Sequence, residues 1–412
     1  MRTTAFHDKY PGNIKILFIG LSQSTHTHAW IDLLSKSEFN VRVFSPAGGP
    51  PPDGWHVMTY LSGLTQGSDT GERCYLYSGW QSQSILFIDK ITSKLIRKPV
   101  SRSEEWLAEI IREWQPDIVH TLGIFDDQGG LFYFHARRKF KLQGFGKWVV
   151  HIRGGSDITL RRHSRKFATL IRQILGEADQ IVSDNIINIQ YAEELGISAE
   201  KFAAIVPIPG TGGVNVRELS QGLTPPSKRE RIVLWPKAYE HRLWSKALPV
   251  LDALLIAWDK IAPCDIYMLA VTPGIYKNYL RLPAKIREHC KIHDRIPRIE
   301  VLALMKRARV LLIPSLIDGI PNSLYEAMAC GTMPIVSPLE TIQSVVKNEK
   351  NVLFARNLYA NEIAEALIKA MNNDWLVDEV ARSNLVLVRQ IADRELLAPK
   401  VIDFYTSMVG RS

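Results

Sequence analysis

Short apolar runs of strand length alternate with helix-period segments along nearly the whole chain, and the alternation starts twice. In the first half, residues 14–21, 41–45, 118–122, 148–152, 180–183 and 202–206 read as strands. Residues 25–35 and 103–114 read as helices, the latter with Trp106, Leu107, Ile110 and Ile111 on one face. A turn rich in Gly and Pro occupies 47–54, and Pro116–Asp117 closes the second helix. Strands this short and apolar, separated by helices, are the signature of a parallel sheet covered on both faces.

Residues 217–231 break the rhythm with Pro225, Pro226, Ser227 and the basic run Lys228, Arg229, Arg231, a linker composition. The alternation then restarts. Residues 232–236, 266–271, 310–314 and 333–337 read as strands, and 246–260, 278–290, 298–307 and 322–330 as helices. The tail from 361 to 409 is helical almost throughout. A chain of 412 residues exceeds what one core serves, so two doubly wound domains of about 200 residues each are expected. We place them at 1–215 and 230–385, with a final helical piece at 386–412. In such sheets ligands bind outside the carboxyl ends of the strands.

Hydrophobic residues make up 46% of the chain and charged residues 23%, which excludes global disorder. The longest apolar runs, such as 14–21, fall far short of the ~20 residues of a membrane span. The first thirteen residues are polar and lack a signal-peptide core, so a cytoplasmic location is expected. Cys74, Cys264, Cys290 and Cys330 are far apart, which argues against structural zinc and a disulfide framework. Asp126–Asp127 does not form a metal motif, and no metal or cofactor is expected.

The net charge of +9 is concentrated. From Arg137 to Arg172 eleven Lys or Arg stand against one acid, Asp157. Such a stretch suits an anionic membrane surface on the inner face, or a lipid-diphosphate; the plain alternative is a solvated helix face. Nucleic acid is not the expected partner, because no aromatic RNA-binding pattern accompanies the charge.

Residues 314–331 read PSLIDGIPNSLYEAMACG. A buried strand ends here, a loop carries Asp318 and Gly319, and a helix begins near Pro321, a proline position favoured in a first turn. The free N–H groups at Asn322 and Ser323 would form an anion site at the positive helix end. Glu326 lies four residues after Asn322 and three after Ser323, on a shared face. The plain alternative makes Asp318 a cap and Glu326 a first-turn acid. This run resembles the Glu-x7-Glu signature of the retaining glycosyltransferases of family GT4 (glycosyl transferases group 1), with Asp318 in place of the first Glu.

The resemblance implies an α/β chain of the GT-B fold, two Rossmann-like doubly wound domains facing a central cleft. The first domain would bind the acceptor and the second the nucleotide-sugar donor, and the last helix would cross back to the first. It implies that Asp318 holds donor-sugar hydroxyls and Glu326 the ribose diol, with Gly319, Asn322 and Ser323 beside them. Residues 233–247, VLWPKAYEHRLWSKA, then set Lys237 and Lys246 where the family has Gly-Arg and Lys-Gly, two cations for a departing diphosphate. Arg242 is a further cation without a motif position. In the first domain, residues 18–30 (FIGLSQSTHTHAW) place Gly20 at a turn and His26 ahead of Trp30, as the family does. Residues 151–157 (HIRGGSD) resemble its strand-end His-Gly-x-Asp region, with Arg153 in the His slot, Asp157 as the acid, and Gly154 and Gly155 admitting a ligand near the backbone. The plain alternative there is a turn capped by Asp157.

The expected activity is metal-independent, retaining transfer of a sugar from a nucleoside-diphosphate sugar to a glycan or lipid-linked acceptor, in envelope or exopolysaccharide biosynthesis by family habit. A sugar-nucleotide epimerase of the same fold and a non-catalytic nucleotide- or membrane-binding relative are the alternatives.

Overall fold

The computed structural model describes residues 6–63, 67–77, 102–125, 129–241 and 244–410. Asp126, Asp127 and Arg242 lie outside the described residues. The chain divides into two compact units, one running to Gly212 and including the segment from Leu397, the other spanning Gly213–Leu396. The boundary therefore falls before the proline-containing stretch at 217–231.

In the first unit β1 (Lys15–Ile19), β2 (Asn40–Ser45), β3 (Met58–Leu61), β4 (Arg73–Tyr75), β5 (Ile118–Thr121), β6 (Lys147–Ile152) and β7 (Gln180–Ser183) form a parallel sheet ordered β4-β3-β2-β1-β5-β6-β7. The order reverses between β1 and β5, so the chain's topological switch point lies just past Ile19 and Thr121. Its helices include α1 (Thr25–Ile31), α2 (Arg102–Trp114), α3 (Gly130–Lys139), α4 (Gly154–Asp157), α5 (Arg165–Glu177) and α6 (Ile186–Glu194). The buried stripe of α2 holds Trp106, Leu107, Ile110 and Ile111, as the helical period requires.

The second unit opens with α7 (Val216–Ser220) and carries β8 (Ile232–Trp235), β9 (Asp265–Leu269), β10 (Cys290–His293), β11 (Val310–Ile313), β12 (Met333–Val336) and β13 (Leu353–Phe354). These are parallel in the order β10-β9-β8-β11-β12-β13, reversing between β8 and β11. Its helices are α8 (Leu248–Ile261), α9 (Pro273–Tyr279), α10 (Ala284–Arg287), α11 (Arg298–Arg307), α12 (Asn322–Cys330), α13 (Glu340–Gln343), α14 (Ala360–Asn372) and α15 (Asp374–Ala392) among the described residues. The last helix, α16 (Arg394–Val409), buries Val401 and Tyr405 in the core of the first unit.

Three sequence readings are corrected. Residues 278–290 are not one helix: Pro283 separates α9 from α10, and Cys290 already belongs to β10. Residues 202–206 make one bridge, Phe202 to Ile181, and no strand, because Pro207 and Pro209 supply no N–H to extend the ladder. Residues 217–231, read as a linker composition, belong to the second unit. Arg229 donates to the carbonyls of Thr224, Ala308 and Cys330, and Arg231 to those of Ile261, Pro263 and Met371, so both staple chain ends within the second unit.

Candidate active site

The two strands flanking the switch point of the second unit end side by side, and their loops hold the residues singled out in the sequence. Lys237 follows β8, and Asp318 follows β11; Nζ of the lysine stands 3.4 Å from Oδ2 of the aspartate. The Asp318 charge, ahead of the opposing effect of burial, pushes the Lys237 ammonium pKa above its ordinary value, with a smaller push from Glu326. Lys237 therefore keeps its proton and lies within the field of both carboxylates. The loop carrying Asp318 is pinned from behind by Thr341, whose hydroxyl reaches the carbonyl oxygens of Asp318 (2.9 Å) and Gly319 (3.3 Å).

Helix α12 begins directly after this loop. Pro321 is its N-cap and brings no side-chain cap, and no acid occupies its first turn. The helix end keeps its partial positive charge for a ligand. Ser323, in that first turn, has a buried hydroxyl oxygen without a protein partner among the described residues. At the other end Gly331 closes the helix with φ 69°, a left-handed turn that suits glycine. Glu326 is buried, and burial pushes its carboxyl pKa up while Arg298 pulls it down. Its Oε1 accepts from Nε (3.1 Å) and Nη2 (2.6 Å) of Arg298 and from Nδ2 of Asn322 (2.8 Å).

Lys246 has a different acid as its partner. Its ammonium pairs with Glu240 at 2.7 Å. Its backbone is held by Asn357, which accepts from the Lys246 N–H (2.9 Å) and donates to the carbonyls of Lys246 (3.1 Å) and Pro314 (3.1 Å). Asn357 thereby fixes the start of α8 against the end of β11. Arg298, Glu240 and Asn357 were not singled out from sequence; Arg298 and Asn357 lie outside the motifs whose residues they hold, whereas Glu240 lies within 233–247.

At the strand ends of the first unit, Gly20 lies so close to Leu122 that a Cβ there would meet the leucine side chain at 3.1 Å. His26 is exposed on α1, whereas His28 is buried, donates from Nε2 to the Ser22 carbonyl and packs its ring 4.4 Å from that of Trp55. Trp30 is wholly buried and donates to the Tyr405 hydroxyl at 3.1 Å. That phenol in turn lies 2.5 Å from Nδ1 of His120. His120 is neutral, and its tautomer sets which of the two groups donates in that hydrogen bond. Burial drives the pKa of His120 and His151 far below the usual range.

Arg153 follows β6. Its Nε donates to Nδ1 of His151 at 3.3 Å, while its Nη2 is buried with no protein acceptor among the described residues. Burial lowers its pKa to about 10, opposed by Asp184 foremost. Asp157 accepts from the backbone N–H of Arg153 (3.2 Å) and Ile124 (3.3 Å), a capping arrangement, and its charge also helps hold the Arg153 guanidinium protonated. Gly154 has φ 61° and donates its N–H to Asp184 at 2.8 Å, and Gly155 is buried next to it in α4. Asp184, absent from the sequence reading, also accepts from Asn185 (2.6 Å) and Asn188 (3.0 Å), and burial raises its pKa to about 6.

The basic stretch is not one patch. Arg137 and Arg138, at the end of α3, both pair with Glu177, the last residue of α5, and Lys139 pairs with Glu104. Arg161, Arg162, Arg165 and Lys166 stand at the opposite end of α5, about 18 Å away for a helix of that length. Of these, Arg161 stacks 3.7 Å from the Phe125 ring centre and Arg162 3.4 Å from that of Tyr191. Among the described residues no group of three or more His, Cys, Asp or Glu could hold a metal ion. No described helix is long and apolar enough to cross a membrane.

Residues 276–384 match the family model for glycosyl transferases group 1. A stretch of 118 residues is 23% identical to the N,N'-diacetylbacillosaminyl-diphospho-undecaprenol alpha-1,3-N-acetylgalactosaminyltransferase of Campylobacter jejuni subsp. jejuni serotype O:2 (strain ATCC 700819 / NCTC 11168), covering 29% of this chain and 31% of that one. The chain thus spans under a third of the length of this curated relative. The fold resembles that of sucrose-phosphate synthase from Thermosynechococcus elongatus (TM-score 0.67, 14% identity, 97% and 100% of the two chains). It also resembles a candidate UDP-N-acetylglucosamine 2-epimerase from Listeria monocytogenes (TM-score 0.62, 12% identity, 97% and 98%). The two Rossmann-like units have the GT-B fold, and the match to glycosyl transferases group 1 lies within the second unit.

Proposed function

We propose that the protein is a metal-independent glycosyltransferase of the GT4 kind, which transfers a sugar from a nucleoside-diphosphate sugar to a glycan or lipid-linked acceptor with retention of configuration. The observation that carries this reading is the constellation at the second switch point: a charged Lys237 against Asp318, the uncapped start of α12 with the unpartnered Ser323 hydroxyl, and the buried Glu326 one turn on. A diphosphate suits that helix start and cation, and two carboxylates suit the hydroxyls of a sugar and a ribose.

In this reading the bond from the sugar's anomeric carbon to the diphosphate oxygen breaks as the acceptor oxygen bonds the same carbon from the same face. The acceptor proton passes to the departing diphosphate oxygen. Lys237, Lys246 and the N–H groups at Asn322 and Ser323 meet the charge that grows there, and Asp318 and Gly319 orient the sugar. Arg153, Asp157, Gly20, His26, Gly154 and Gly155 belong to the acceptor side in the first unit. There Asp157 accepts from the Arg153 backbone N–H, and its charge acts on the guanidinium of the same residue. The relative acts on a diphospho-undecaprenol by name, and an acceptor of that chemistry would suit the cations at the start of α5 and an anionic membrane surface on the cytoplasmic side. Envelope or exopolysaccharide synthesis is the matching destination.

The fold is shared with an epimerase candidate, so the test must separate products. Incubation with UDP-, GDP- and ADP-sugars and a membrane-lipid acceptor extract, with and without EDTA, is expected to give an α-linked product from an α-linked donor in both conditions. Epimerised free sugar or nucleotide sugar, or binding without turnover, would overturn the transferase reading. Loss of transfer in EDTA restored by Mg²⁺ would overturn the cationic leaving-group model.

A further inference from the structure

We propose that Arg298 is a positioning residue of the donor site, which clamps one oxygen of Glu326 and so presents the other to the ligand. The proposal rests on the reading of Glu326 as the carboxylate that holds the ribose diol. Three N–H groups converge on Oε1: Arg298 Nε at 3.1 Å, Arg298 Nη2 at 2.6 Å and Asn322 Nδ2 at 2.8 Å. A carboxylate oxygen has two in-plane lone pairs, so Oε1 is saturated. Among the described residues no donor is placed on Oε2. The clamp is therefore one-sided, and the free oxygen is the one a diol would meet.

The same contact favours the ionised form. The Glu326 side chain is 10% exposed, and burial alone favours its neutral form. The groups around it are Arg298 from α11, Asn322 and Cys330 from its own helix, and Lys237 from the loop after β8. Cys330 is pushed up to about 12 and stays a neutral thiol. Arg298 opposes burial most strongly, ahead of Asn322 and the more distant Lys237. A protonated Glu326 carries a hydrogen on one oxygen and accepts a diol poorly. Without Arg298 the carboxyl protonates at higher pH, so binding weakens as pH falls and recovers as it rises.

The test uses the full chain and calorimetric titration with UDP, GDP and ADP between pH 5.5 and 8.5, followed with whichever diphosphate the wild type binds. Affinities are taken as ratios to wild type at each pH, which cancels the ligand's own ionisation. Arg298→Gln is expected to bind at least tenfold more weakly at pH 6 and to approach wild type at pH 8.5, while Arg298→Lys, which keeps the charge, shows a smaller slope. The 2'-deoxy form of the same diphosphate gives a second readout: wild type should discriminate against it, and Arg298→Gln should discriminate less at pH 6. A loss in Arg298→Gln that is equal at all pH values, or no loss, would overturn the proposal. If Glu326→Gln binds as tightly as wild type, the diol reading itself fails; if Glu326→Gln is weak and Arg298→Gln normal, only the role of Arg298 fails.

Discussion

Nζ of Lys237 and Oδ2 of Asp318 stand 3.4 Å apart, joining the loops that follow β8 and β11, the two strands between which the second sheet reverses its order. The pair puts a fixed cation at the switch point and holds it with a carboxylate. Lys237→Met is expected to lower the rate of transfer about a hundredfold with the fold intact, the usual effect of deleting one preorganised charge-stabilising group. Steady-state kinetics on the variant check this, and an unchanged kcat would remove Lys237 from the leaving-group site.

Asp318 is one methylene shorter than the glutamate that the family pattern places there. Asp318→Glu is expected to change the preference among nucleotide sugars by about tenfold or more, the scale of a one-methylene change in a pocket. Competition between pairs of donors measures it. Equal preference in variant and wild type would separate Asp318 from the sugar.

Asn357 fastens the Lys246 backbone to the end of β11 through three hydrogen bonds. Asn357→Ala leaves buried backbone groups unpaired and should cost about 1–3 kcal/mol of stability. It should also raise the donor KM, because the loop from Lys237 to Lys246 loses its anchor. Thermal unfolding and donor titration read the two effects separately.

Asp184 gives a pH signature. Its folded pKa is raised to about 6 against an ordinary 3.8. Between those values the folded chain binds more proton than the unfolded one, so this group's contribution is present at low pH and is lost as pH rises through about 6. Asp184→Asn removes that slope. Wild type should therefore lose on the order of 2–3 kcal/mol relative to the variant between pH 4 and 7. Denaturant unfolding at several pH values measures it, and parallel curves would contradict the assignment.

The cations at the start of α5 offer a test of membrane attachment. Arg161 and Arg162 are stacked on aromatic rings, so Arg165 and Lys166 are the better targets. Arg165→Ser with Lys166→Ser should remove about 2 kcal/mol of attraction to anionic vesicles, roughly thirtyfold. Co-sedimentation should show binding that needs anionic lipid and falls with salt. Binding to neutral vesicles, or none to anionic ones, would contradict it.

The donor segment was legible because its strand, loop and helix are contiguous: residues 310–313 and 322–330 fold within a few residues of where the periodicity puts them. What supports it was not. Arg298 lies 28 residues before the carboxylate that it clamps, and Asn357 lies 111 residues after Lys246. His120 and Tyr405 are 285 residues apart and meet only because α16 packs in the core of the first unit. No local pattern marks such partners, since they are chosen by tertiary packing. The strands β3, β4, β10 and β13 escaped for another reason: they lie at or next to a sheet edge, and segments such as RCY and CKIH mix polar with apolar residues where the recognised strands are apolar runs. The concentrated charge from Arg137 to Arg172 read as one surface, but a helix of thirteen residues intervenes and Glu177 and Glu104 neutralise one end.

Binding of a nucleoside diphosphate to the second unit's switch point is the central claim, and calorimetry on Glu326→Gln tests it most directly. With UDP, GDP and ADP as probes, wild type is expected to bind at least one, and the variant to bind it ten- to a hundredfold more weakly, the loss of about 1.5–3 kcal/mol for a hydrogen bond to a charged group. Equal affinity in a folded Glu326→Gln chain, or no binding of any of the three to wild type, would contradict the account.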